Sequence, residues 1–356
     1  MIKYIGSKRT LVPHIVALAD AVRARTGAET VCDMFSGTTR VAQGLKRAGF
    51  AVTANDLASY SEMLALTYIE HDARSPDEGG IAAKLSQLNS LPGVAGYFTQ
   101  TFCVEARYFQ PANGQRIDAI REAIDRIATN RVERAILLTS LLEAADRVDS
   151  TTGLQMAYLK DWAPRSSNPL HLRLPEFITG VGTASRLDAN ALAATMDPAD
   201  IVYLDPPYNQ HSYHSNYHIW ETLVRGDAPE SYGVARKRVD CRTVKSDYNV
   251  KGRAWSAFEA LVRTTPARHF IVSFNNEGYF ARDDIADLLE SVAGEVAVVP
   301  VRFKRYVGAQ IGIHNPQGKK VGRVSHLTNR EFLFVAGEKA TAIVESATRR
   351  LAGAAG

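Results

Sequence analysis

Apolar residues fall along the chain in two rhythms. Short apolar runs bounded by turn residues, at 31–35, 50–54, 201–204, 269–274, 296–301 and 332–335, read as buried strands. Between about residues 58 and 150 the rhythm is helical. Ile117, Ile120, Ile124 and Ile127 form one face, Asn113-Gly114 reads as the turn before them, and 132–145 is apolar enough for a buried helix. A further helix is predicted over 11–25. After strand 31–35, Ser36-Gly37-Thr38-Thr39 makes a turn in which Thr38 is placed to cap helix 40–48, and the next strand ends at Asn55-Asp56. Strand, glycine turn, helix, strand and acid, in that order, open a doubly wound α/β sheet of Rossmann-like type, in which the later strands are expected to continue the parallel order. A mostly helical insertion then splits that sheet. The expected parts are a split sheet domain at 1–57 and 176–340, an insertion at 58–175 and an Ala/Gly-rich tail at 341–356.

Composition narrows this little. The hydrophobic fraction is 46% and the charged fraction 22%, which excludes a disordered polymer. Cys32, Cys103 and Cys241 lie too far apart for a disulfide framework or a zinc motif, so a cytoplasmic setting is expected. No apolar run approaches the roughly 18 residues of a membrane span. Charge matters more than its +4 total suggests. Residues 233–253 hold Arg236, Lys237, Arg238, Arg242, Lys245, Lys251 and Arg253 against Asp240 and Asp247, a net +5. Residues 302–330 hold Arg302, Lys304, Arg305, Lys319, Lys320, Arg323 and Arg330 with no acid, a net +7. The remainder is therefore −8, and the two basic segments suit phosphate contact, or are plain solvated loops.

Two constellations carry candidate chemistry. In Asp33-Met34-Phe35-Ser36-Gly37, a glycine after a buried strand lets a ligand approach the backbone, and Asp56 lies where an acid suits ribose hydroxyls. The same pattern also serves as an ordinary α/β turn. Asp205-Pro206-Pro207-Tyr208 ends an apolar strand, at the edge where such sheets keep ligands. A carboxylate and a proline-fixed carbonyl suit the two hydrogens of a weakly nucleophilic amino group, and a tyrosine face suits a turned-out base. His211, His214 and His218 follow at helical spacing. A packed or nucleic-acid-facing patch is favoured there over a metal, and no metal is expected. In the insertion, Arg107, Tyr108, Phe109, Arg116, Arg147, Lys160, Trp162 and Arg165 are candidates for DNA contact or for structural support.

Asp205-Pro206-Pro207-Tyr208, with Asp33-Met34-Phe35-Ser36-Gly37 before it and Lys3-Tyr4-Ile5-Gly6-Ser7-Lys8 at the start, resembles the site-specific DNA adenine-N6 methyltransferases of the Dam-like alpha group. The resemblance covers about residues 3–56 and 200–335. It implies a fold of the S-adenosylmethionine-dependent methyltransferase type, with S-adenosylmethionine as methyl donor and duplex DNA as partner. By motif, Tyr4 and Lys8 would contact the donor, Lys8 at its carboxylate. Asp33 belongs to the cofactor motif, Phe35 and Gly37 would line the methionine end, Asp56 would bind the ribose, and Asp188 would add an acidic contact. Asp205, Pro206, Pro207 and Tyr208 would hold the flipped base, and 273–278 resembles a motif lining its pocket. Thr39 stands where the family commonly has a second glycine. Relatives with similar tetrapeptides act on cytosine N4, RNA adenine or glutamine. A non-catalytic DNA-binding relative is the remaining alternative. A monomer is expected, with a companion restriction endonuclease as a possible functional partner.

Overall fold

The computed structural model describes residues 2–6, 8–75, 77–276, 278–304, 313–314, 320–322 and 328–354. Their contacts form two compact units. The first comprises Met1–Ser7, Phe35–Ala189 and His211–Ser246, and the second Lys8–Met34, Asn190–Gln210 and Asp247–Gly356. The main strands are β1 (Thr30–Asp33), β2 (Ala51–Asn55), β3 (Gly182–Ser185), β4 (Ala199–Leu204), β5 (Ala267–Asn275), β6 (Val296–Lys304) and β7 (Thr328–Ala336). The longer helices are α1 (Val12–Thr26), α2 (Arg40–Arg47), α3 (Ser59–Ala65), α4 (Glu78–Ser90), α5 (Pro111–Ile127), α6 (Arg131–Val148), α7 (His218–Arg225), α8 (Lys251–Thr264), α9 (Arg282–Ala293) and α10 (Ala340–Ala354). The chain is thus mixed α/β, as its pattern predicts. No described helix is long and apolar enough to cross a membrane.

In the second unit the strands run in the order β1-β4-β5-β7-β6. β1, β4 and β5 are parallel, with Val31 opposite Ile201 and Leu204 opposite Val272. Their β-branched, apolar runs suit strands covered on both faces. The expectation that the parallel order continues to the end is corrected. β7 is antiparallel to both neighbours, with Phe332 opposite Phe274 on β5 and opposite Pro300 on β6. A chain that turns back beside its last strand needs no crossover helix, so reversal is the short solution here. Phe270, Ile271, Val272, Leu333, Phe334 and Val335 are all buried, and α1 packs against α10.

In the first unit, β2 and β3 form a parallel pair. α6 is buried on nearly every side and starts at Asn130, whose side chain accepts from the Glu133 N–H. α5 buries Ile117, Ile120 and Ile124, as their spacing predicts, each burial contributing roughly 2 kcal/mol. The turn expected at Asn113-Gly114 is instead the first turns of this helix, opened by Pro111. Gly114 is needed for packing, because a Cβ there would lie 2.3 Å from Cys103 Sγ. Asn113 donates to the Ser166 and Asn168 carbonyls and accepts from Leu170 N–H, which pins the irregular segment beyond α6. α3 continues into a π-helical turn, Leu66–Glu70, where Lys46 Nζ donates to the carbonyls of Tyr68, Ile69 and His71. An ammonium has three protons to give, so these carbonyls satisfy a lysine that is almost wholly buried.

Two further expectations are corrected. The residue preceding α2 is Thr39, not Thr38, and neither side chain caps the helix. Thr39 has φ +59°, a left-handed conformation that a β-branched residue adopts only at a cost of about 1–2 kcal/mol. Local bonds offset it: the Thr39 hydroxyl donates to the Thr38 carbonyl at 2.7 Å and accepts from Gln43 Nε2 at 2.9 Å. Arg238, expected among the phosphate contacts, is 2% exposed. Its guanidinium holds Asp227 at 2.7 Å and Asp240 at 2.9 Å, so it ties the ribbon Ser231–Tyr232/Lys237–Arg238 to its surroundings instead of facing solvent.

These geometries predict the stability of three variants. Thr39→Val keeps the strained backbone but strands Gln43, and should lower the unfolding free energy by about 1–3 kcal/mol. Thr39→Gly removes strain as well as the bonds and should cost clearly less. Arg238→Ala leaves Asp227 to Arg225, and Asp240 to Arg225 and His214, and should cost about 1–3 kcal/mol. Urea unfolding followed by circular dichroism measures all three.

Candidate active site

In the second unit β4 presents Asp205-Pro206-Pro207-Tyr208 at its carboxyl end, where two residues without N–H groups stop the ladder. The Asp205 side chain is 18% exposed, and its Oδ1 lies 2.9 Å from Lys8 Nζ. Lys8 and Glu331, by contrast, are buried. Lys8 Nζ donates to Glu331 Oε1, and the Ser273 hydroxyl donates to the same oxygen at 2.5 Å. Burial pushes the Asp205 carboxyl up to about 6. The Lys8 ammonium opposes that shift and the Glu331 charge adds to it. Burial works against the Lys8 ammonium too, but the two carboxylates outweigh it and hold its proton well above the usual range. Lys8, expected at a donor carboxylate, has its ammonium against two carboxylates of its own unit.

The Tyr208 ring stands edge-on to Phe274 at 5.7 Å, and Phe274 stacks on Phe280 at 5.2 Å. Phe280 in turn stacks on Phe258, so Tyr208 is backed by a rigid aromatic wall. Gly278 makes this possible: a Cβ there would lie 2.2 Å from the Phe274 ring and 3.1 Å from Tyr208 Cβ. Asp33 is buried at the end of β1, where its charge raises the already buried Tyr203 hydroxyl further.

In the first unit Gly37 sits at φ +49°, and a Cβ would lie 3.3 Å from the Tyr4 ring. Its N–H donates to Asp56 Oδ2 at 2.8 Å, Ala58 N–H donates to Asp56 Oδ1 at 3.0 Å, and the Ser61 hydroxyl donates to the Gly37 carbonyl at 2.6 Å. Burial raises the Asp56 carboxyl, against the lowering effect of those N–H donors. Each carboxylate oxygen retains further lone-pair capacity for a hydroxyl. Tyr4 stacks on Tyr217 at 4.4 Å and on Tyr213 at 5.3 Å, and its hydroxyl meets that of Tyr60 at 3.3 Å. Phe35 is half-buried and Asp188 is exposed. Asn55 holds the residue before Asp188 reciprocally, accepting from Leu187 N–H and donating to its carbonyl, both at 3.0 Å. A close-approach glycine, half-exposed ring faces and two acids suit a nucleoside carrying vicinal hydroxyls.

The other sequence candidates scatter. Arg242 and Lys245 are exposed, Arg242 lying 4.1 Å above the Tyr232 ring. Lys237 is half-exposed, and Arg236 pairs with Glu105 at 3.0 Å. The backbones of Lys304 and Lys320 lie in strands, while Arg305, Lys319 and Arg323 fall outside the described residues. Arg116 donates to the Leu91 and Asn89 carbonyls, Arg165 pairs with Asp149, and Arg107 lies over Trp162, all internal bonds. The histidines do not share a face. His218 is buried with Nε2 on the Gln155 carbonyl, and burial pushes it down to about 3. His214 lies 3.0 Å from Asp240, with Cys241 beside them, but Arg238 and Arg225 already neutralise Asp240. Tyr60, Ser61, Asn55 and Glu331 escape the sequence reading. Of these only Glu331 leaves a trace, a single acid between Arg330 and a run of apolar strand residues.

Relatives place this arrangement in a family. The chain is 33% identical over 324 residues to the modification methylase StsI of Streptococcus sanguinis, an alignment covering 85% of this chain and 48% of that protein. It is 30% identical to the type II methyltransferase M.NlaIII of Neisseria lactamica, over 92% of this chain and 99% of that one. It is 31% identical to the type II methyltransferase M.FokI of Planomicrobium okeanokoites, over 81% and 47%. The chain thus spans about half the length of the StsI and FokI proteins and nearly all of the NlaIII protein. Residues 4–277 match the model of the D12 class N6 adenine-specific DNA methyltransferases, and the chain belongs to that family.

Proposed function

We propose that the chain transfers the methyl group of S-adenosylmethionine to N6 of an adenine turned out of a specific duplex DNA sequence. The observation carrying this is the partly exposed Asp205 carboxylate, aimed by two prolines and backed by Lys8, next to a Tyr208 ring stiffened by Phe274. An amino nitrogen conjugated to a purine ring is a poor nucleophile. Asp205 and the Pro206 carbonyl would accept its two hydrogens, which localises the lone pair, and Pro207 fixes the backbone that aims them. Tyr208 would offer its face to the base. Positioning supplies much of the rate. The nitrogen lone pair forms the N–C bond as the S–C bonding pair stays on sulfur, and the nitrogen then gives up one proton. With its carboxyl near 6, Asp205 can take that proton and pass it to solvent.

The donor, when bound, supplies an electrophilic methyl group on a sulfonium. Tyr4, Phe35, Gly37, Asp56 and Asp188 would hold it, Asp56 at the ribose hydroxyls. We assign target recognition to residues 58–175, and phosphate contact to Arg242, Lys245, Lys237 and Arg236 and to the basic residues between 302 and 330. Acting in the cytoplasm as a single copy, the protein would protect a site that a companion endonuclease cuts.

Labelled methyl transfer to DNA, followed by digestion to nucleosides, tests the reading. The product should be N6-methyladenine, and N4-methylcytosine would refute the adenine assignment. Asp205→Ala should lose about 10³-fold or more in rate with donor affinity retained. The carboxylate must be ionised to accept hydrogens. Because its titration lies near 6, wild-type rate should be full above that pH and fall as pH drops through it. Lys245→Ala should reduce the slope of log affinity against log salt by about one, while Arg238→Ala should leave that slope unchanged.

A further inference from the structure

The second unit holds a charged residue that the reaction chemistry does not call for. Glu331 lies on the interior strand β7, opposite Asn275 on β5, and is 1% exposed. A carboxylate so buried is costly unless cations and hydrogen-bond donors surround it. Its Oε1 takes both the Lys8 ammonium and the Ser273 hydroxyl, and Lys8 is the group that faces Asp205. The row Ser273–Glu331–Lys8–Asp205 therefore ends at the one carboxylate that solvent or substrate can reach.

We propose that Glu331 is a positioning residue for methyl transfer, holding the Lys8 ammonium between two carboxylates so that Asp205 remains a net acceptor for the target amino group. This rests on the amino-methyltransferase reading above. With Lys8 alone, Asp205 would form a neutral pair whose oxygen is already committed to an ammonium. The amino group would then compete with a full positive charge for that oxygen. With Glu331 present the three side chains carry a net single negative charge. Lys8 is shared, Asp205 keeps acceptor strength, and the surplus charge stands near the nitrogen that turns cationic as the N–C bond forms. Glu331 itself, buried behind Lys8, does not touch the substrate.

Among the described residues, the charged or titratable groups around Asp205 that enter the pH argument are Lys8, Glu331, Tyr203 and Tyr208, with Asp33 acting on Tyr203. Tyr203 and Tyr208 are neutral throughout the useful range, since burial raises both hydroxyls, so Lys8 and Glu331 set the acid limb. The Glu331 charge disfavours ionised Asp205. Removing it should move the acid limb of the rate profile to lower pH, by on the order of one unit. The plateau rate should fall about tenfold in the same variant, because Lys8 then pairs wholly with Asp205.

Single-turnover methyl transfer to DNA is measured against pH for the wild type, Glu331→Gln and Glu331→Asp, with donor affinity by calorimetry and melting temperature alongside. A lower plateau with an acid limb displaced downward, unchanged donor affinity, and a limb restored in Glu331→Asp support the proposal. A merely structural role would lower the melting temperature and leave both limb and plateau rate per folded molecule in place, and that result overturns it. Should Glu331→Gln not fold, Ser273→Ala keeps all three charges and removes the hydroxyl that, with Lys8, holds Glu331. A few-fold plateau loss with unchanged donor affinity then supports the arrangement, and no loss overturns it. A wild-type protein that methylates no amine at all would instead refute the amino-methyltransferase reading.

Discussion

One ammonium between two carboxylates, with Lys8 and Glu331 buried and Asp205 at the edge, sets a tight constraint on the second unit. None of Lys8, Asp205 and Glu331 could be buried alone at acceptable cost. Together they are tolerable only if the N-terminal segment, the end of β4 and the interior of β7 converge within about 3 Å, a geometry that leaves little freedom to any of the three. The sheet order supplies it. β5 lies between β4 and β7 and contributes Ser273 as the remaining hydrogen-bond donor. The tetrapeptide is thus the visible end of a charge network that runs back across the sheet.

The residues proposed to hold the donor depend on a different constraint, backbone shape. Gly37 takes a conformation that glycine adopts freely. Two residues later Thr39 takes a similar one that threonine does not, and the local hydroxyl bonds offset the difference. The departure from the usual second glycine is therefore a change in how the turn is held more than a change in its path. Asp56 has a double part. The carboxylate suited to ribose also ties Gly37 and Ala58 together, so the acid helps to build the turn that it serves.

Much of this was legible in the residues. Apolar runs marked every main strand but the weakly apolar β3, isoleucine spacing marked the buried face of α5, and the tetrapeptide marked the carboxyl end of β4. What failed did so for identifiable reasons. Asn113-Gly114 carries a turn signature, yet the space beside Cys103 required a residue without a side chain inside a helix. Arg238 reads as surface charge in a basic run, and only tertiary packing brings Asp227 and Asp240 around it. Strand direction is not encoded in an apolar run, so the reversal of β7 was invisible. Glu331 could be seen as an anomaly but not interpreted, because its partner Lys8 is 323 positions away.

That separation has a temporal meaning. β7, synthesised after the other main strands described, pairs on both sides and occupies an interior place in its sheet. A chain synthesised as far as β6 already possesses Asp205, both prolines, Tyr208 and Lys8, yet it lacks the strand that joins β5 to β6 and the carboxylate that balances Lys8. Contacts of such long range form slowly. A nascent chain would therefore carry the whole tetrapeptide before Glu331 is made, without a settled charge network behind it. The balance of charge behind Asp205 would arrive in one step, when β7 slots in between β5 and β6.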